Sequence, residues 1–139
     1  MINYKEKIYL TGRGLDRLKK EYKQLLGARN LQEDPESLVL INQRFEELGT
    51  ILKTYELIQP PPKHKQHIIN LGATVVVEVD GQTDEFTIVG TLEANPSLGR
   101  ISNESPVGRA LLGCKIEEKV IISSNIKTIY KIKEIKYEL

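Results

Sequence analysis

Glu33, Asp34 and Glu36 put three carboxylates within four positions, on either side of Pro35. Carboxylates suit a hard cation such as magnesium, which keeps several waters and takes one or two acidic side chains. A metal so held lowers the pKa of its bound water and stabilises a phosphoryl transition state. The same acids also suit a structural duty. Asp34 ahead of Pro35 is a helix N-cap, and Glu36 in the first turn complements the macrodipole. Cys114, the single cysteine, cannot form an internal disulfide. With no His or Arg cluster beside it in sequence it reads as packing rather than a nucleophile. His64 and His67, between Lys63 and Lys65 and beyond, read as solvated spacers. No Cys/His cluster suits zinc, so neither a cofactor nor an intrinsic metal is expected. Arg13, Arg17, Lys19, Lys20, Lys23 and Arg29 make one segment basic. That suits either a contact with phosphates or acids, or an ordinary solvated helix face.

A second stretch, Ile101 to Gly113 (ISNESPVGRALLG), offers a contact surface rather than a reaction. Ser105 followed by Pro106 is an N-cap with proline at the first helical position, and Gly113 suits a left-handed helix stop. The spacing predicts a helix of about two turns from Pro106 to Leu112, with Val107, Ala110 and Leu111 facing a sheet. Asn103, Glu104 and the Ser105–Pro106 corner are then held in place but turned to solvent.

The elements that must position these residues follow from periodicity. Leu15, Leu18, Tyr22 and Leu25, then Leu38, Ile41, Phe45, Leu48, Leu52 and Tyr55, recur at three and four. The two stripes are separated by 30–35, so two antiparallel helices joined by a short turn are predicted, with the acids at the turn. Narrow stripes with charged opposite faces describe a two-stranded coiled coil projecting into solvent, weakened locally by Gly27 and Gly49. Helices of about 18 to 22 residues reach about 27 to 33 Å. The segment QPPPKHKQH, 59–67, breaks every period and reads as a stiff linker between domains at 1–58 and 68–139. Beyond it the period is two. Ala73 to Val79, a turn at Asp80-Gly81, Phe86 to Val89, Val120 to Ile122 and Thr128 to Leu139 predict a small antiparallel sheet carrying the short helix, an α+β unit. The parity of Tyr130 and Ile132 differs from that of Ile135, Tyr137 and Leu139, which predicts a β-bulge near Lys133-Glu134.

With 139 residues the chain holds one ordinary core, or a small domain plus a helical appendage. Twenty basic against nineteen acidic side chains leave no overall electrostatic footprint for gripping nucleic acid or anionic lipid, so a protein partner is favoured. The charged N-terminus lacks a signal-peptide core and no run is long enough to span a bilayer, so a cytoplasmic protein without membrane contact is expected.

The opening LTGRG, the proline linker, and then LGATVVVEV, TIVG, ISNESPVGRALLG and IKEIKYEL resemble, in order and spacing, the Gre transcript-cleavage factors of bacterial RNA polymerase. The likeness is strongest over Leu71 to Leu139, similar to that family's FKBP-like C-terminal domain. It is weaker at Leu10 to Leu26. The resemblance implies a non-enzymatic elongation regulator, at most stimulating the polymerase's own RNA cleavage. Its C-terminal domain would dock at the rim of the secondary channel while the coiled coil enters it. It further implies that Ile101, Ser102, Asn103, Glu104, Ser105 and Pro106 form the polymerase-docking surface, that contact with RNA is at most indirect, and that the protein is a monomer. The chain departs from the family at the tip. The pattern Gly-Asp-Leu-x-Glu-Asn-Ala-Glu-Tyr is missing, and the hairpin reads as shorter by about twenty residues, roughly 15 Å of reach. No catalytic residue carries over by motif, which leaves Glu33, Asp34 and Glu36 as the tip candidates. Two alternatives stay open: a short-coil, Rnk-like competitor for the channel that delivers no acids, and, on topology alone, a stand-alone FKBP-like prolyl isomerase. The latter needs an aromatic-lined pocket, and this half of the chain has no Trp, a single Phe at 86, and two Tyr in its last strand.

Overall fold

A computed structural model describes residues 7–123 and 127–139, which form two compact units, Met1–Leu57 and Ile58–Leu139. In the first, strand β1 (Ile8–Leu10) leads into helix α1 (Gly12–Leu31). A turn at 32–34 then reverses the chain into helix α2 (Pro35–Thr54), which ends in strand β2 (Tyr55–Leu57). The opening LTGRG works as a helix start. Thr11 is the N-cap, its hydroxyl accepting from Gly14 N at 3.1 Å, while Leu10 is fully buried. The two helices pack along the expected stripes, and their apolar core (Leu10, Leu15, Leu48, Ile51) lies at the end away from the turn.

Farther out the packing thins. Tyr22 stacks on Phe45 with ring centroids 4.5 Å apart, Arg29 lies 5.2 Å over the same Phe45 ring, and Arg44 Nε donates to Glu21 Oε1 at 2.7 Å. Near the turn Leu31 and Leu40, which lie off both stripes, are 84% and 67% exposed, while the stripe residues Leu38 and Ile41 are half-buried. Two features differ from the sequence reading. Helix α1 runs on through Asn30 to Leu31, because neither Asn30 nor Leu31 obliges a stop and Gln32 N still donates to Ala28 O. Strands β1 and β2 pair in parallel (Ile8↔Tyr55, Leu10↔Leu57) and tie the two ends of the hairpin together. Three-residue strands give too short a pattern to recognise.

The second unit is a five-stranded sheet in the order β5-β4-β3-β7-β6, built from β3 (Thr74–Val79), β4 (Gln82–Val89), β5 (Arg100–Ser102), β6 (Lys119–Ser123) and β7 (Lys127–Lys136). Asp80 and Gly81 both take positive φ (51° and 78°) and join β3 to β4 as the tight hairpin that Asp-Gly favours. The bulge expected in the last strand is present. Val76 pairs with Glu134 but Val77 with Ile132, so Lys133 is the extra residue.

The sheet departs from the antiparallel expectation at one edge, where β5 runs parallel to β4 (Thr87↔Arg100, Val89↔Ser102). Ten residues connect those two strands, enough to cross over without a hairpin. Helix α3 (Pro106–Leu111) closes the core: Leu111 is fully buried, and Val107 and Ala110 pack against Val75, Val77, Ile88, Ile132 and their neighbours.

The proline segment is not a bare spacer. Lys63–Lys65 form a 3-10 turn, with Lys65 N donating to Pro62 O and the Gln66 amide to Pro61 O at 2.9 Å. Tyr137 then fastens the end of that turn to the last strand, its hydroxyl donating to Ile68 O at 2.6 Å and accepting from Asn70 N at 2.8 Å.

Candidate functional site

The corner between β5 and α3 is held by hydrogen bonds that converge on Ser102 and Ser105. Ser105 Oγ donates to Ser102 O at 2.7 Å and accepts from Gly108 N at 3.1 Å, so this hydroxyl is spent on capping. Ser102 Oγ lies 2.9 Å from Thr91 Oγ1 and accepts from Glu104 N at 3.0 Å, while Thr91 Oγ1 also donates to Glu104 Oε2 at 3.2 Å. Asn103 N donates to Val89 O. These bonds allow the helix to sit directly against the strand. A Cβ on Gly108 would lie 2.1 Å from Ser102 O, so only glycine fits there.

The six residues named from the sequence divide by burial. Ile101 is only 7% exposed and belongs to the core, so its side chain is not part of a surface. Ser102, Asn103 and Ser105 are half-buried, and Glu104 and Pro106 are exposed. Thr91, eleven positions before Ser102, completes the corner and was missed. Its part depends on the parallel pairing of β4 with β5, which no local pattern announces.

The hairpin turn presents its acids differently. Asp34 is the N-cap of α2: one carboxylate oxygen accepts from Ser37 N at 3.1 Å and from Ser37 Oγ at 2.8 Å. The Ser37 hydroxyl first, and its backbone N–H second, hold the Asp34 carboxyl below its ordinary value. Glu33 and Glu36 are exposed. Among the described residues no group of three His, Cys, Asp or Glu side chains is placed to hold a metal ion, so the three acids do not converge on a ready-made site.

Elsewhere, Cys114 is half-buried with Sγ 3.4 Å from Ala110 O. Burial, reinforced by Glu118, pushes its thiol pKa up, the opposite of what a nucleophile needs. Arg13, Arg17, Lys19, Lys20 and Lys23 are exposed along α1, and Arg29 covers Phe45. Among the described residues no helix is long and apolar enough to cross a membrane.

A capped helical hairpin, and a sheet unit that presents a hydrogen-bonded polar corner, are the two parts of this chain. Residues 64–137 match the family described as transcription elongation factor, GreA/GreB, C-terminal. The chain is 39% identical over 141 residues to transcription elongation factor GreA of Thermomicrobium roseum, covering 86% of this chain and 90% of that protein. To GreA of Mycoplasma capricolum it is 33% identical over 156 residues, covering 91% and 95%. Against GreA of Chloroflexus aggregans the match is 43% over 84 residues and spans about half (54%) of that protein. A solved structure described as prokaryotic transcription elongation factor GreA/GreB from Nitrosomonas europaea aligns over 94% of this chain and all of that one, at 22% identity and a TM-score of 0.48. The chain belongs to the GreA/GreB family of transcription elongation factors. The resemblance inferred from LTGRG and ISNESPVGRALLG therefore holds, as does the expectation of a Gre-class elongation regulator rather than an enzyme or a prolyl isomerase.

Proposed function

We propose that this Gre-class factor binds bacterial RNA polymerase through the corner at Ser102 to Pro106 together with Thr91, docking at the rim of the secondary channel so that the helical hairpin is directed inward. The observation that carries this reading is the corner itself. Glu104 and Pro106 are exposed on a backbone fixed by Thr91, Ser102 and Ser105, and such pre-ordering lowers the entropic cost of association. Glu33 and Glu36 at the hairpin turn are the groups free to approach a cation that the polymerase holds, since magnesium accepts one or two carboxylates from a partner and keeps its waters. Asp34 contributes through the cap instead. The alignments to the Thermomicrobium and Mycoplasma proteins, at 141 and 156 positions, are longer than this 139-residue chain, and gaps of this kind fit a shortened hairpin. The protein then acts as a monomer in the cytoplasm, with RNA met only inside the elongation complex.

Two measurements test this. Glu104→Arg with Pro106→Asp should weaken binding to core RNA polymerase by at least tenfold, about 1.4 kcal/mol, and unchanged affinity would sink the corner as the docking site. For the turn, a backtracked elongation complex is mixed with wild type and with a Glu33→Gln, Asp34→Asn, Glu36→Gln variant. Asn caps a helix as well as Asp, so the charges are lost but the fold is kept. Loss of RNA shortening supports delivery of the acids. Equal shortening by both eliminates them as ligand donors.

A further inference from the structure

The Lys63–Lys65 turn is fixed in place beside the far end of α3. Gly113 N donates to Ile69 O at 2.8 Å, Ile69 N donates to Cys114 O at 2.9 Å, and Ile68 bridges to Lys115. Along α3 the exposed positions are Pro106 and Arg109, three apart and so on one helical side, and Gly113 just beyond the helix is exposed as well. Arg109 thus lies on the helix whose end is tied to Ile69, and Lys115 is bridged to Ile68, three residues after Lys65. The six-residue helix is only about 9 Å long.

All four cations are exposed, and among the described residues none is ion-paired. Three lysines of the last strand are matched: Lys131 with Glu117, Lys133 with Glu78, and Lys136 with Glu85. The acids nearest Lys115 in sequence, Glu117 and Glu118, are turned to Lys131 and to Cys114, and Glu104, nearest Arg109, is bonded to Thr91. Lys63, Lys65, Arg109 and Lys115 thus leave positive charge unmatched beside α3, as Lys119 and Lys127 do in β6 and β7, but the proline-segment lysines sit on backbone ordered by Gln66 and Tyr137.

We propose that Lys63, Lys65, Arg109 and Lys115 form a cationic extension of the docking corner that receives an acidic protein segment of the same partner, lying along α3. This rests on the reading of the corner as the polymerase-docking site. A protein is the occupant because these cations adjoin the corner proposed to meet a protein, and an acidic segment of that same partner complements their charge. Complementary charge beside a rigid contact raises the association rate and fixes orientation.

The test measures binding of the full-length protein to core RNA polymerase by anisotropy at about 50 mM and about 500 mM monovalent salt. The variant Lys63→Gln, Lys65→Gln, Lys115→Gln should bind roughly tenfold more weakly at low salt. The difference should close at high salt, where exposed charges are screened. Lys119→Gln with Lys127→Gln, which removes two exposed lysines of β6 and β7, should behave as wild type. If the triple variant keeps wild-type affinity and salt slope while the Glu104→Arg, Pro106→Asp protein loses binding, the cationic extension is refuted and the corner stands. If wild type itself does not bind, both fall. Binding of a short labelled RNA by the free protein, abolished in the triple variant, would overturn the protein segment in favour of phosphates.

Discussion

Replacing Gly108 by alanine sets two opposed effects against each other at a single methyl group. Gly108 lies within α3, where alanine is the better helix former by about 1 kcal/mol. Its Cβ, however, would lie 2.1 Å from Ser102 O and 3.1 Å from the carbonyl carbon, both backbone atoms of β5. An ordinary C···O contact is about 3.3 Å, so helix and strand must part by about 1 Å. Ser102 O accepts from Ser105 N at 3.0 Å and from Ser105 Oγ at 2.7 Å, and parting strains both bonds. Two hydrogen bonds at about 1 kcal/mol each and about 2 kcal/mol of overpacking outweigh the gain in propensity. The net loss is about 3 kcal/mol, or about 12 to 24 °C in Tm for a unit of this size. Calorimetry of the full chain reads the shift directly. The companion change Gly27→Ala, where nothing lies within 4 Å of the new methyl, should stabilise the hairpin by about 0.5 to 1 kcal/mol. If Gly108→Ala proved as stabilising as Gly27→Ala, the tight approach of α3 to β5 would be refuted, and with it the rigid corner.

Tyr137→Phe should destabilise the sheet unit by about 1 to 2 kcal/mol in urea denaturation, because Ile68 O and Asn70 N both lose their partner; a change below about 0.3 kcal/mol would show that water replaces the hydroxyl at no cost. Burial raises the Tyr137 pKa above its usual 10.0, so its contribution is complete below pH 10 and is lost as the pH rises through the folded value. The reverse sign holds for Asp34. Its depressed carboxyl contributes fully above 3.8 and loses that contribution as pH falls through the folded value, so acid unfolding of the hairpin should flatten in Asp34→Asn, and an unaltered acid limb would remove Asp34 as the cap. Arg44 and Glu21 are about one-third exposed, so a double-mutant cycle to alanine should return a coupling of about 0.5 to 1 kcal/mol; a value indistinguishable from zero would mean the pair is solvated away in solution.

Much of this fold is legible in sequence because the signals are local. Asp34 with Pro35, Thr11 with Gly14, and Ser105 with Pro106 each fix a helix start through a side chain reaching three residues ahead. Asp80-Gly81 fixes a hairpin through two left-handed residues. The parity break in the last strand likewise locates the bulge at Lys133.

The stretch ISNESPVGRALLG by itself determined a capped corner, the order of LTGRG, the proline segment, LGATVVVEV, TIVG, ISNESPVGRALLG and IKEIKYEL carried the family resemblance, and the turn acids by themselves determined a cap before a helix. Tertiary structure alone decided which of these atoms remain free. Parallel pairing of β5 with β4 buries Ile101 and brings Thr91 onto the corner, and the approach of α3 spends the Ser105 hydroxyl. Packing against Ile69 and Tyr137 turns a proline-rich spacer into an ordered cationic edge. Exposure and unmatched charge depend on partners tens of residues away, whereas caps and turns depend only on neighbours.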